Sequence, residues 1–182
     1  MKLIIIALSL LAVFGCTKEN SMAIDKKNPA DAGKGLRLMV LTTPASRFGY
    51  TADKDYPRVF GVLTDWNLGD QTASILATRA GTASLYTTST FGILGGEGHE
   101  SARQAAQGCV KIAEDYFDRS SPVSEFPYPP QGKVHFYLLT YDGVRLCVGD
   151  ESGINSGSDI TRPLFAEAQK VLTALREISE TK

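Results

Sequence analysis

Two stretches repeat apolar residues at intervals of three and four, and between them they limit the fold more than any other feature. The first runs from His99 to Phe117, with Ala102, Ala105, Ala106, Cys109, Ile112, Ala113, Tyr116 and Phe117 on one stripe. The second opens near Pro163, a residue suited to a first helical turn, and carries Leu164, Phe165, Ala168, Val171, Leu172, Leu175 and Ile178. A helix with a single apolar stripe must bury it against another element. The Ala-rich first stripe lets that helix approach a sheet closely.

The sheet is written in the intervening segments. Residues 59–66, 71–78 and 83–89 read as a three-stranded antiparallel meander, turned at Asn67-Leu68-Gly69-Asp70 and Ala80-Gly81. Residues 134–140 and 144–150 form a hairpin around Asp142-Gly143, a pair expected to supply two positive-φ turn positions. Leu36–Leu41 reads as an earlier strand and Ser152–Ser158 as a Gly/Ser loop. The result is an α+β two-layer sandwich with a βββ-α-ββ-α core: five to six antiparallel strands under two amphipathic helices. That element order is similar to the profilin-like and roadblock/longin group of small sensor and scaffold domains. The likeness covers about residues 59–179 and rests on order alone.

The N-terminus carries an address. Lys2 precedes an apolar run from Leu3 to Phe14, too short for a typical membrane span and suited to a signal-peptide core. It ends in Val13-Phe14-Gly15-Cys16, which resembles the lipobox of bacterial lipoproteins; Phe14 stands where a smaller residue is commoner. The resemblance implies cleavage between Gly15 and Cys16 and diacylation of the Cys16 thiol, so that the membrane is the first partner. Stable anchoring needs at least two acyl chains. Thr17, in place of Asp, implies the outer membrane in a two-membrane envelope. Removal of residues 1–15 leaves 167 residues and a formal charge of -2, which gives no strong pull toward anionic lipid. Residues 16–35 read as the lipidated Cys followed by a polar tether. Its 19 residues after Cys16 would hold the domain roughly 20–25 Å from the anchor. A single domain then fills residues 36–182.

Near-neutral charge excludes a nucleic-acid binder held by phosphate contacts. Three Cys and two His exclude a Cys-rich zinc module, and no metal or cofactor is expected. The chemistry-bearing candidates gather in residues 86–100: Thr87, Thr88, Gly95, Gly96, Glu97 and His99. A Gly-rich loop before a helix can bind an anion through backbone N–H groups. Here no Lys-Ser/Thr follows and the dinucleotide glycine pattern is missing. Glu97 and Glu100 repel phosphate but suit a helix start. His99 has Arg103 where a metal-binding helix would place its second His, and His135 lies on a strand. No serine-hydrolase motif is present.

Cys147 alternates with Val144, Leu146 and Val148. If that apolar set faces the first helix, Cys147 points away from Cys109, so two separate buried thiols are expected rather than a disulfide. Phe126-Pro127-Tyr128-Pro129-Pro130 reads as a stiff connection or a polyproline docking segment. Asp65 and Trp66, at a strand end, are either packing or part of a recognition surface. The expectation is therefore a membrane-anchored, non-enzymatic interaction or scaffold domain, with an unspecified protein or a second copy as partner. The alternative is a small-ligand sensor or hydrolase using the 86–100 loop.

Overall fold

A computed structural model of the chain describes residues 29–89 and 92–180. The signal-peptide segment, Cys16 and the first part of the tether lie outside the described residues. The chain enters as helix α1 (Pro29–Thr42), followed by a short 3-10 turn at Ala45–Phe48. Strands β1 (Val59–Asn67), β2 (Thr72–Thr78), β3 (Ala83–Thr87) and the two-residue β4 (Gly92–Ile93) come next. Helix α2 (Glu100–Ala113) leads through a 3-10 segment into β5 (Ser121–Val123). Strands β6 (Lys133–Thr140) and β7 (Gly143–Asp150), helix α3 (Glu151–Ser156) and helix α4 (Arg162–Glu180) complete the domain.

All strand pairs are antiparallel, in the order β4-β3-β2-β1-β6-β7-β5. The α+β class is as expected, with seven strands and four helices among the described residues. Helices α2 and α4 bury their stripes together with Val59, Val62, Ile75, Phe136 and Leu138 on one face. On the other face Val40, Leu41 and Ala45 meet Phe60, Leu63, Leu76, Tyr137 and Leu139. The second face is therefore covered, and the sheet is sandwiched rather than one side of a two-layer stack. A register shift between Val59 and Gly61 in β1 lets Val59 and Val62 share one face while Phe60 and Leu63 share the other.

Several expectations change. Residues 36–41 are helical, not a strand, and the helix takes in residues 29–35 that read as tether. The run Leu36-Arg37-Leu38-Met39-Val40-Leu41 is almost wholly apolar, so alternation cannot be told from a helical stripe. The positions used are Gly33, Arg37, Val40 and Leu41, at helical spacing, and tertiary contact selects them. The β6–β7 connection is Tyr141-Asp142, with Thr140 opposite Gly143; only Gly143 has positive φ, at 130°. The Gly/Ser stretch at 151–156 forms α3 because the Asp150 side chain caps it by accepting from Gly153 N–H at 2.9 Å. Cys147 lies on the same face as Cys109, since Gly149 and Cys147 point toward the α2/α4 side while Val144 and Leu146 pack on the α1 side.

Gly96 sets how closely the loop before α2 approaches the core. A Cβ there would lie 2.6 Å from Leu175 Cδ2, 2.9 Å from the Ala83 carbonyl oxygen and 3.0 Å from Ala83 Cβ. Backbone cannot yield as a side-chain tip can. Gly96→Ala is expected to cost about 1–3 kcal/mol by overpacking, read as a lower urea midpoint with unchanged m-value.

Candidate functional site

The 86–100 segment does not gather its polar groups around one feature. Thr87 is buried in β3, and its Oγ1 lies 3.0 Å from Ser89 Oγ. Ser89 Oγ donates to Gln71 Oε1 at 2.6 Å, and Thr88 Oγ1 accepts from Thr72 N–H at 2.9 Å. These hydroxyls tie the end of β3 to β2. Gly95 takes φ 82°, and Gly96 is buried against Ala83 and Leu175. Glu97 and His99 are exposed, and His99 occupies the cap position of α2 without a side-chain capping bond. Glu100 is bonded by Arg103 and Gln104 on the helix surface. Among the described residues no group of three His, Cys, Asp or Glu side chains could hold a metal ion.

The densest polar constellation lies elsewhere, between α1 and the sheet. Asp65 on β1 is fully buried, so it belongs to no recognition surface in the folded domain. Arg37 on α1 reaches it through Nε at 2.9 Å and Nη2 at 2.5 Å, both onto Oδ2. Ser74 on β2 donates to the other oxygen at 2.5 Å. Arg37 Nη1 donates to the Phe126 carbonyl at 3.0 Å, and its guanidinium lies 4.1 Å from the Tyr128 ring centre. Tyr137 Oη donates to the Pro127 carbonyl at 2.6 Å, with His135 Nδ1 3.2 Å from the same oxygen. His135 stands opposite Asp65 in the β1–β6 register.

Burial pushes the Asp65 carboxyl up while Arg37 and Ser74 pull it down. Burial opposes the Arg37 charge, yet hydrogen bonds and attraction from Asp65 hold it above its ordinary value. Tyr137 is pushed up to about 12, chiefly by burial, and stays a donor at neutral pH. Burial lowers His135 below the usual imidazole value, against the bond to Pro127 and the charge of Asp65. Both Asp65 oxygens are occupied, which makes the carboxylate an anchor rather than a proton acceptor for an outside molecule.

The network holds the Pro-rich connection in one shape. Phe126 sits edge-on to Tyr137 with ring centres 5.8 Å apart, Pro129 is buried, and its carbonyl accepts from Asn67 Nδ2 at 2.8 Å. Trp66 is packed edge-on to Phe165, with centres 5.3 Å apart, and donates to Glu151 Oε1 at 3.1 Å. Cys109 and Cys147 are free and buried; burial pushes the Cys109 thiol up to about 12 and raises Cys147 as well. Both are therefore poor nucleophiles in the folded domain. Surface clefts among the described residues include two larger ones. One of 340 Å³ lies between the end of α1 and the β6–β7 turn. One of 670 Å³ is lined by Arg58, Tyr116, Asp118, Arg119 and Ile160, where Arg58 already pairs with Asp118 at 2.9 Å.

The sequence reading missed Arg37 as a site residue and left Asp65 open between packing and a recognition surface. The signal was one charge inside each of two apolar runs, since a charge that folds into a core is paired.

Removing one member of the buried pair strands the other. Asp65→Asn and Arg37→Met should each cost about 3–5 kcal/mol, with the double variant losing less than the sum, measured by urea unfolding as a double-mutant cycle. His135 supplies a pH signature. Its folded value lies below the unfolded one, so its stabilising contribution is complete above the unfolded value, about 6.5. That contribution falls away as pH drops through the folded value. The imidazole NMR titration should centre below 6.5, and His135→Gln should remove that part of the acid sensitivity. Comparison with protein families, curated proteins and solved structures finds no significant match to this chain.

Proposed function

We propose that this chain is a lipid-anchored envelope protein whose α+β domain binds a protein partner. The observation that carries the reading is the apolar run Leu3–Phe14 leading into Val13-Phe14-Gly15-Cys16, with twelve residues between Cys16 and Pro29, where α1 begins. Acylation of Cys16 after cleavage at Gly15 keeps the domain on a short leash at the membrane. A tethered domain meets membrane-held partners at raised effective concentration, so a weak contact suffices. Thr17 directs the anchor to the outer membrane where the envelope has two. No helix among the described residues is long and apolar enough to cross a membrane.

Two features favour binding as the domain's role. The Arg37–Asp65 network holds the 126–130 connection in one conformation, and a preorganised surface has less entropy to lose on docking. At the sheet edge, β5 pairs only with Val144–Leu146 of β7. Beyond it, Cys147–Gly149 have no further strand beside them among the described residues, and Val148 is 49% exposed. Such an edge accepts an extended segment from a partner, through backbone hydrogen bonds.

The test reads the two parts separately. A fatty-acid analogue fed to the native host should mark the wild type and leave Cys16→Ala unmarked; equal labelling of both defeats the anchor. Crosslinking in native membranes should recover a stoichiometric partner with the wild type. Val148→Lys should lower that recovery without moving the unfolding midpoint. A small molecule retained on the purified protein, with partner recovery indifferent to Val148→Lys, replaces binding of a protein with ligand sensing.

A further inference from the structure

The outward side of α1 carries an apolar patch that the outward side of α4 lacks. Leu38 and Met39 are 43% and 45% exposed, and Phe48, in the 3-10 turn that follows, is 37% exposed. Lys34 and Arg47 are exposed in the same segment. On α4 the exposed positions carry no large apolar side chain and include Lys170, Thr173, Arg176, Glu177 and Glu180. Helix α4 therefore presents to water what an ordinary solvated face presents, whereas α1 keeps large apolar side chains outside although its inner side is fully used. Arg37, Val40 and Leu41 are already buried against the sheet.

We infer that the outer face of α1 lies on the lipid bilayer, with Leu38, Met39 and Phe48 entering the interface and Lys34 and Arg47 at headgroup level. This rests on the proposed anchor at Cys16. Thirteen peptide steps separate Cys16 from Pro29, so even a fully extended connection spans at most about 45 Å. Helix α1 is thus the described element nearest the anchor along the chain. Apolar side chains flanked by cations are the composition that seats a helix in the interfacial plane. The contact is small, and that is sufficient, because a short tether gives an effective concentration on the order of millimolar. The formal charge of the cleaved chain is too small to hold the domain by charge alone, so the apolar side chains carry the contact.

The experiment uses the full lipidated chain in vesicles of phosphatidylethanolamine and phosphatidylglycerol containing a diazirine-bearing phosphatidylcholine, with labelled peptides located by mass spectrometry. The peptide spanning 34–48 should take the lipid label, and the outer-face peptide of α4 should not. L38E/M39E should lower labelling of 34–48 on the order of tenfold, because the removed apolar area is what the interface buries. The same variant should keep its anchor and its unfolding midpoint; L38Q/M39Q repeats the test without added charge. An anchored protein whose 34–48 peptide is unlabelled, or labelled no more than α4, overturns the inference and leaves the anchor standing. Crosslinking of 34–48 to a protein rather than lipid in native membranes also overturns it. Fatty-acid incorporation that survives Cys16→Ala defeats the anchor reading on its own, whatever the labelling of α1.

Discussion

The buried ion pair of Arg37 and Asp65 is the constraint on which one whole side of the molecule depends. A carboxylate with no exposed surface must be paired and hydrogen-bonded, or its burial costs several kcal/mol. Here a guanidinium from α1 and a hydroxyl from β2 take its two oxygens. Of the guanidinium donors left over, one on Nη1 goes to the Phe126 carbonyl. The pair thereby fixes the helix over the sheet and the Pro-rich connection beside the helix. A hydrophobic replacement of similar volume could give equal stability. What the charged pair adds is a directional requirement on where α1 and residues 126–130 sit relative to the sheet.

Glycine sets the remaining close approaches. A Cβ on Gly33 would lie 2.8 Å from the Thr87 carbonyl oxygen, so α1 comes nearer to β3 than any other residue would permit. Gly96 does the same for the loop before α2 on the opposite face, against Ala83 at the start of the same strand. Gly149 lies where a Cβ would meet Thr161 Oγ1 at 2.4 Å, which lets β7 close under the start of α4. The glycine-rich segment that invites a phosphate-cradle reading is thus explained at Gly96 by packing. Its neighbouring hydroxyls are explained by strand-end bonds to β2.

The proposed role uses surfaces rather than a cleft. The apolar outer face of α1 and the short β5 edge lie on different parts of the domain, and each has a physical use for a protein held at a membrane. The reactive groups inside the fold are buried. Tyr137 and Cys109 remain protonated through burial, and the Asp65 carboxylate is fully engaged.

Local periodicity made much of the fold legible. The stripes of α2 and α4, the meander of β1–β3 and the β6–β7 hairpin are patterns within one element or between neighbours, and the sequence determined them by itself. What it could not determine depended on contacts between distant residues. Residues 36–41 are nearly all apolar, so a period of two and a period of 3.6 fit equally, and only the sheet beneath selects the helix. Asp65 sits 28 residues from Arg37, and no local pattern announces which cation will meet which carboxylate. The face taken by Cys147 was decided the same way, by whether the α1 side or the α2/α4 side needed Val144 and Leu146. Side-chain alternation tells which residues share a face; only the assembled tertiary structure tells what that face touches.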